Sequence, residues 1–258
     1  MESRSTTQAG EAVNQVTVVA YPPGAYGSFL CWMIEKFSKH RADQNPIPVD
    51  DPLLSDGSSH GYASFCKVKG ISDFMTGLNE ARWDIKPWHT NIYAGWPSNP
   101  MENLQDNVND ILDWMMPYDR MMFVDAWRES DHILCYLRNE ATMDRDRWYG
   151  MLGIDSDSQL ADRLRFDIEG DRLRRHDDPR MMSVTIDDIL VDEPAVLWNK
   201  INQFLGWPME GFDHYKAIML EMRRRQERFY HMIDEVGPEG TPAQKAIYRY
   251  LMEKNNGS

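Results

Sequence analysis

Val16-Thr17-Val18-Val19-Ala20-Tyr21-Pro22-Pro23-Gly24-Ala25-Tyr26-Gly27-Ser28-Phe29-Leu30 is the stretch on which the fold turns. Its first six residues are β-formers or small, and Pro22-Pro23-Gly24 closes them, which spells a strand running into a turn. From Ser28 the period changes. Leu30, Met33, Ile34 and Phe37 recur at helical spacing, with Ser28 the expected N-cap. A glycine-containing turn at a helix start exposes backbone N–H groups backed by the positive end of the helix dipole. Phosphate or sulfate oxygens fit there, and the Ser28 hydroxyl adds a donor. Gly24 and Gly27 would let the backbone approach the anion with no Cβ in the way. The same spacing also suits an ordinary strand-to-helix turn.

Working outward, the remaining chain alternates strand and helix patterns. Residues 121–124 and 133–137 are continuous apolar runs, the pattern of strands buried on both faces of a parallel sheet, and 182–186 is a further strand. Helices are expected over 104–116, over 194–205 with Pro194 in its first turn and Gly206 after its last, over 213–235, and from 242 to about 254. Residues 43–61, rich in Pro, Asp, Ser and Gly, read as a long loop or lid. The expected fold is a single α/β domain over 15–258 after a loose tail at 1–14, with one open, mainly parallel sheet and helices on both faces.

Composition narrows the function classes. With 42% hydrophobic and 27% charged residues among 258, the chain is globular. A net charge of −13 opposes binding to nucleic acid, so an anionic ligand needs a local cluster of donors. Cys31, Cys66 and Cys135 have no metal-ligand spacing and do not make a disulfide framework. No metal is expected. No signal peptide or membrane-length apolar stretch is present, so the expected location is the cytoplasm and no membrane partner is expected.

A family resemblance adds to this reading. Residues 21–30 resemble the loop of the sulfotransferase family that binds the 5′-phosphosulfate of 3′-phosphoadenylyl sulfate. Ile133-Leu134-Cys135-Tyr136-Leu137-Arg138-Asn139 is similar to that family's strand ending in Arg-Asn, and Val184 to Pro194, continued through Phe204-Leu205-Gly206, to its strand, acidic pair and helix. The wording Pro-Pro-Gly-Ala-Tyr-Gly-Ser-Phe-Leu also resembles sulfotransferase-like proteins of phages of marine bacteria. The resemblance implies a P-loop NTPase-like fold and 3′-phosphoadenylyl sulfate as cofactor. Gly24, Ala25, Tyr26, Gly27 and Ser28 would then hold the 5′-phosphosulfate, and Arg138 the 3′-phosphate. The family's basic C-terminal segment corresponds to Arg223-Arg224-Arg225, of which Arg224 is the assigned contact. Residues about 100° apart on a helix cannot all face one ligand, and a solvated helix face is the favoured reading of the triplet.

Ile85-Lys86-Pro87-Trp88-His89 resembles the family's Lys-x-His segment with one residue more. His89 would be the general base and Lys86 a contact to the cofactor or leaving group. The alternative is a loop histidine bonded to backbone. The acceptor would be a small molecule or glycan with a hydroxyl or amine. Two departures favour a catalytically inactive, binding or structural descendant: no basic residue lies between Tyr21 and Glu35, and Asp146 stands where the family places a phosphate-binding Ser. The pair Asp187-Asp188, between a strand and a helix, reads as a helix-start device rather than a metal site. The oligomeric state is not encoded in any pattern found.

Overall fold

The computed structural model describes residues 17–21, 24–38, 49–55, 89–93, 112–113, 115–117, 119–125, 128–169, 178–206 and 208–256. Four strands, β1 (Thr17–Tyr21), β2 (His89–Tyr93), β3 (Arg120–Asp125) and β4 (Met181–Thr185), form one sheet in the order β2-β1-β3-β4. Every pairing is parallel, with Val19 opposite Met122 and Val124 opposite Val184. Side chains alternate across a strand, so Val19, Tyr21, Met122, Val124 and Val184 share one face, and all are buried.

Among the helices on that face are α1 (Gly27–Phe37) and two later ones, numbered α6 (Pro194–Leu205) and α7 (Phe212–Asp234) by their place in the chain. Trp32, Phe37, Trp198 and Tyr215 join them in edge-on and tilted ring contacts, Trp32–Phe37 at 5.2 Å and Trp198–Tyr215 at 5.1 Å. The local devices of the C-terminal half are those in the sequence. Pro194 starts α6, and Gly206 at φ 68° ends it. Helix α5 (Ile186–Leu190) is capped by Thr185, whose Oγ1 accepts from Asp188 N while Asp188 Oδ2 accepts from Thr185 N at 2.7 Å. Lys200 pairs with the same carboxylate at 2.7 Å. Asp188 is therefore part of a cap, as its position implied.

The run 133–137 is not a strand. It lies inside α2 (Glu129–Thr142), and the expectation of a fifth parallel strand is corrected. The cause is burial on two sides. Leu134 and Cys135 enter the core with the sheet, whereas Ile133, Tyr136 and Leu137 enter a second core shared with α3 (Arg145–Leu152), α4 (Leu160–Glu169) and α8 (Pro242–Asn256). A helix apolar all round gives a continuous run, and periodicity alone cannot separate it from a buried strand. Its start is marked instead by Asp131, which accepts from Arg128 N at 3.1 Å and from the Arg128 guanidinium at 2.9 Å.

Residues 49–55, within the expected loop at 43–61, lie along α1 and α7. Trp32 Nε1 donates to Val49 O at 2.8 Å, Lys36 pairs with Asp50 at 2.6 Å, and Arg225 Nη1 donates to Leu54 O at 2.8 Å. Of the helix expected over 104–116, only 112–113 falls among the described helical residues.

Asp131 is 4% exposed. Replacing it with Ala should therefore lower the unfolding free energy by about 1–3 kcal/mol through the lost cap and the unpaired Arg128 N–H. Ser130→Ala, one residue away and exposed, should stay within about 0.5 kcal/mol. Equal effects in chemical denaturation would contradict this helix start.

Candidate functional site

The turn after β1 ends in two residues with positive φ, Gly24 at 84° and Tyr26 at 63°. Tyr26, not Ser28, is the N-cap of α1, and its side chain makes no capping bond. Its carbonyl accepts from Phe29 N at 2.9 Å and Leu30 N at 3.2 Å. The N–H groups of Gly27 and Ser28 have no acceptor among the described residues, and no acidic residue stands in the first turn. The positive end of α1 is thus left without a neutralising group of its own.

Both glycines are demanded by packing within the protein. A Cβ on Gly27 would stand 1.9 Å from the Tyr21 ring. A Cβ on Gly24 would meet the Asn139 side chain at 2.9 Å and Cys135 O at 3.0 Å, at a φ that L-residues rarely adopt. The turn is wedged between the last residue of β1 and the middle of α2.

Arg138 is the pivot of that wedge. It is not at the end of a strand, as expected, but in α2, and it is 4% exposed. Its Nε donates to Gln226 Oε1 at 2.7 Å, its Nη1 donates to Gly24 O, and its guanidinium carbon lies 3.8 Å from the centroid of the Tyr26 ring. The Tyr26 hydroxyl donates to the same Gln226 oxygen at 3.3 Å. Burial raises the Tyr26 phenol well above its ordinary range, against the pull of Arg138, and burial pushes the Cys135 thiol up to about 12. Both stay protonated near neutrality, so neither is a nucleophile or base. Among the described residues no carboxylate pairs with Arg138. A buried, unpaired guanidinium costs several kcal/mol, and this one lies directly under the turn.

The other expected site residues fall elsewhere. The register sets His89 beside Thr17, at the end of the sheet away from the turn that follows Tyr21. Four residues of strand, about 13 Å, separate its backbone from that edge. Lys86 lies outside the described residues, as do Tyr62, Phe65, Phe74, Trp83, Trp88 and Trp96. The three arginines of α7 do not share one direction. Arg224 faces solvent and pairs with Glu221 at 2.7 Å, Arg225 reaches Glu221 and Leu54, and Arg223 donates to Ile189 O at 2.9 Å and Asp192 O at 2.7 Å. The two pairs hold the Glu221 carboxyl down at about 2. Arg224 is thus on a solvated face. Asp146 is exposed in the first turn of α3, behind the N-cap Asp144.

Two groups escaped the sequence reading. Gln226 binds both Tyr26 and Arg138, although a glutamine within an amphipathic helix carries no signal of its own. Arg128 follows β3 and donates to Asp131 and, at 2.7 Å, to Asp187. An Arg between an apolar strand and a helix was the available signal, obscured by the assignment of the next apolar run as a strand. Among the described residues no cluster of His, Cys, Asp and Glu could hold a metal ion, and no helix is long and apolar enough to cross a membrane. No protein-family model matches the chain, and no curated protein matches it.

Gly27→Ala should destabilise the fold by about 1–3 kcal/mol, as overpacking does. In a Tyr21→Val background the same substitution should cost less, because the ring that collides is gone. Strictly additive losses in denaturant unfolding would show that Tyr21 is not what excludes the Cβ.

Proposed function

We propose that the protein is sulfotransferase-like, with a P-loop NTPase-like fold, and that the turn at 24–28 holds the 5′-phosphosulfate end of 3′-phosphoadenylyl sulfate. One observation carries this reading. A buried guanidinium with no carboxylate partner among the described residues lies beneath a helix start whose first N–H groups are open. Both features are costly without an anion and favourable with one. The residues therefore fit the group that the sequence resemblance implies.

In this reading Gly27 and Ser28 supply backbone donors, the Ser28 hydroxyl adds another, and Tyr26 keeps the turn in its left-handed conformation. Arg138 contributes charge from below rather than by contact, which replaces the missing basic residue of the loop. Bound there, the nucleotide supplies a sulfuryl group to a hydroxyl or amine of a small molecule or glycan, leaving adenosine 3′,5′-bisphosphate. The turn lies at the carboxyl end of β1, where open α/β sheets bind ligands.

A second reading keeps the nucleotide and drops the transfer. It is favoured by the position of His89, at the amino end of β2, which leaves the turn without the base that the sequence offered.

Calorimetric titration with adenosine 3′,5′-bisphosphate tests the shared core of both readings. Saturable binding is expected, weakened at least tenfold by Arg138→Met in a variant shown by circular dichroism to be folded. No binding by the wild-type protein would refute the nucleotide assignment. Turnover of 3′-phosphoadenylyl sulfate with phenol, amine and sugar acceptors then separates the readings: the first expects transfer, the second none.

A further inference from the structure

The buried stripe of α7 runs Tyr215, Met219, Met222, Gln226 and Phe229, at the alternating four- and three-residue spacing that keeps one helix face on the core. All but Gln226 are aromatic or thioether side chains. Gln226 is the one amide, and it is 1% exposed. An amide buried there costs free energy unless it is hydrogen-bonded. Its Oε1 accepts from Arg138 Nε at 2.7 Å and from the Tyr26 hydroxyl at 3.3 Å. A glutamate of the same shape would accept the same two bonds and would also neutralise the guanidinium. A methionine, in keeping with the rest of the stripe, would fill the space and leave both donors unmet. As a partner for Arg138 and Tyr26, the amide oxygen thus differs from a carboxylate oxygen chiefly in its charge.

That difference matters because the Arg138 charge acts across the whole turn. Burial raises both the Tyr26 phenol and the Cys135 thiol, and the next largest influence on each is Arg138, which lowers it. Arg138 is itself buried, with no carboxylate partner among the described residues. A charge so placed is screened little by salt. Its contacts are Gly24 O and the Tyr26 ring, directly before the first turn of α1.

We propose that Gln226 is a positioning residue that sets the charge of this turn. It holds Arg138 and Tyr26 as a carboxylate would, yet leaves the cation uncompensated, so that the turn selects oxyanion ligands by charge. This inference rests on the anion reading of the turn and adds to it the residue on which that selectivity depends. A carboxylate at 226 would make the core more self-sufficient and the turn indifferent to anions. Hydrogen bonding and charge therefore separate at this position, and substitutions there should move stability and binding in opposite directions.

Gln226→Glu and Gln226→Met, each melted and then titrated with adenosine 3′,5′-bisphosphate and with inorganic sulfate at low ionic strength, supply the test. Gln226→Glu should melt at or above the wild-type protein. Gln226→Met should melt below it, because the Arg138 Nε–H and the Tyr26 hydroxyl lose their acceptor. Binding should run the other way. Gln226→Glu should weaken both probes by on the order of tenfold or more, as cancelling a unit charge near the ligand does, and Gln226→Met should weaken them less. A purely structural glutamine expects binding to follow stability, with the methionine variant the weaker binder, and that order overturns the inference. A glutamate variant that melts below the methionine variant also overturns it. Unchanged binding in Gln226→Glu overturns it and leaves the nucleotide reading standing. The expected order with sulfate, and no binding of the bisphosphate, upholds the charge role and removes the nucleotide. Binding of neither probe by the wild-type protein overturns both.

Discussion

The contact on which the structure depends is the burial of Arg138 between Gly24 O, Gln226 and the Tyr26 ring. It joins three segments distant in sequence: the turn after the first strand, the middle of α2 and the second half of α7. A guanidinium with five fixed donors suits this role, since it bonds in two directions while its face rests on a ring. The geometry of the turn follows from it. Tyr26 is a non-glycine residue at positive φ, an uncommon conformation. Its ring and hydroxyl are both held in that state. The open N–H groups of α1 are aimed by the same contact.

This arrangement ties stability to function. Apolar packing around Trp32, Phe37, Trp198 and Tyr215 sets where α1 and α7 lie against the sheet. Packing alone would tolerate a neutral residue at 138, and similar-sized apolar replacements of buried charges are often stabilising. A positive charge is kept there with no carboxylate partner among the described residues, as the proposed anion site would require.

Much of the architecture was legible because local chemistry and tertiary demand agreed. The β-formers of β1, the apolar β3 run, Pro194 and Gly206 around α6, and the helix start at Asp187-Asp188 all lie where the sequence placed them, within a residue or two. Helix α2 was illegible for a physical reason. Its apolar run serves two cores at once, which erases the polar stripe that marks a surface helix. The error propagated to Arg138, since an Arg at the end of a strand faces the ligand edge whereas an Arg ten residues into a helix packs inward. The glycines were legible as positions, but the packing that demands them was not. Only the folded structure shows that Tyr21 and Asn139 occupy the space a Cβ would need. The divergence of Arg223, Arg224 and Arg225 followed directly from helical geometry.

A crystal structure with adenosine 3′,5′-bisphosphate bound tests the central claim most directly. The account predicts a phosphate within about 3 Å of the Gly27 and Ser28 backbone nitrogens, with the Arg138 guanidinium still beneath Gly24 and Tyr26. A nucleotide bound elsewhere, with the first turn of α1 facing solvent alone, would contradict it.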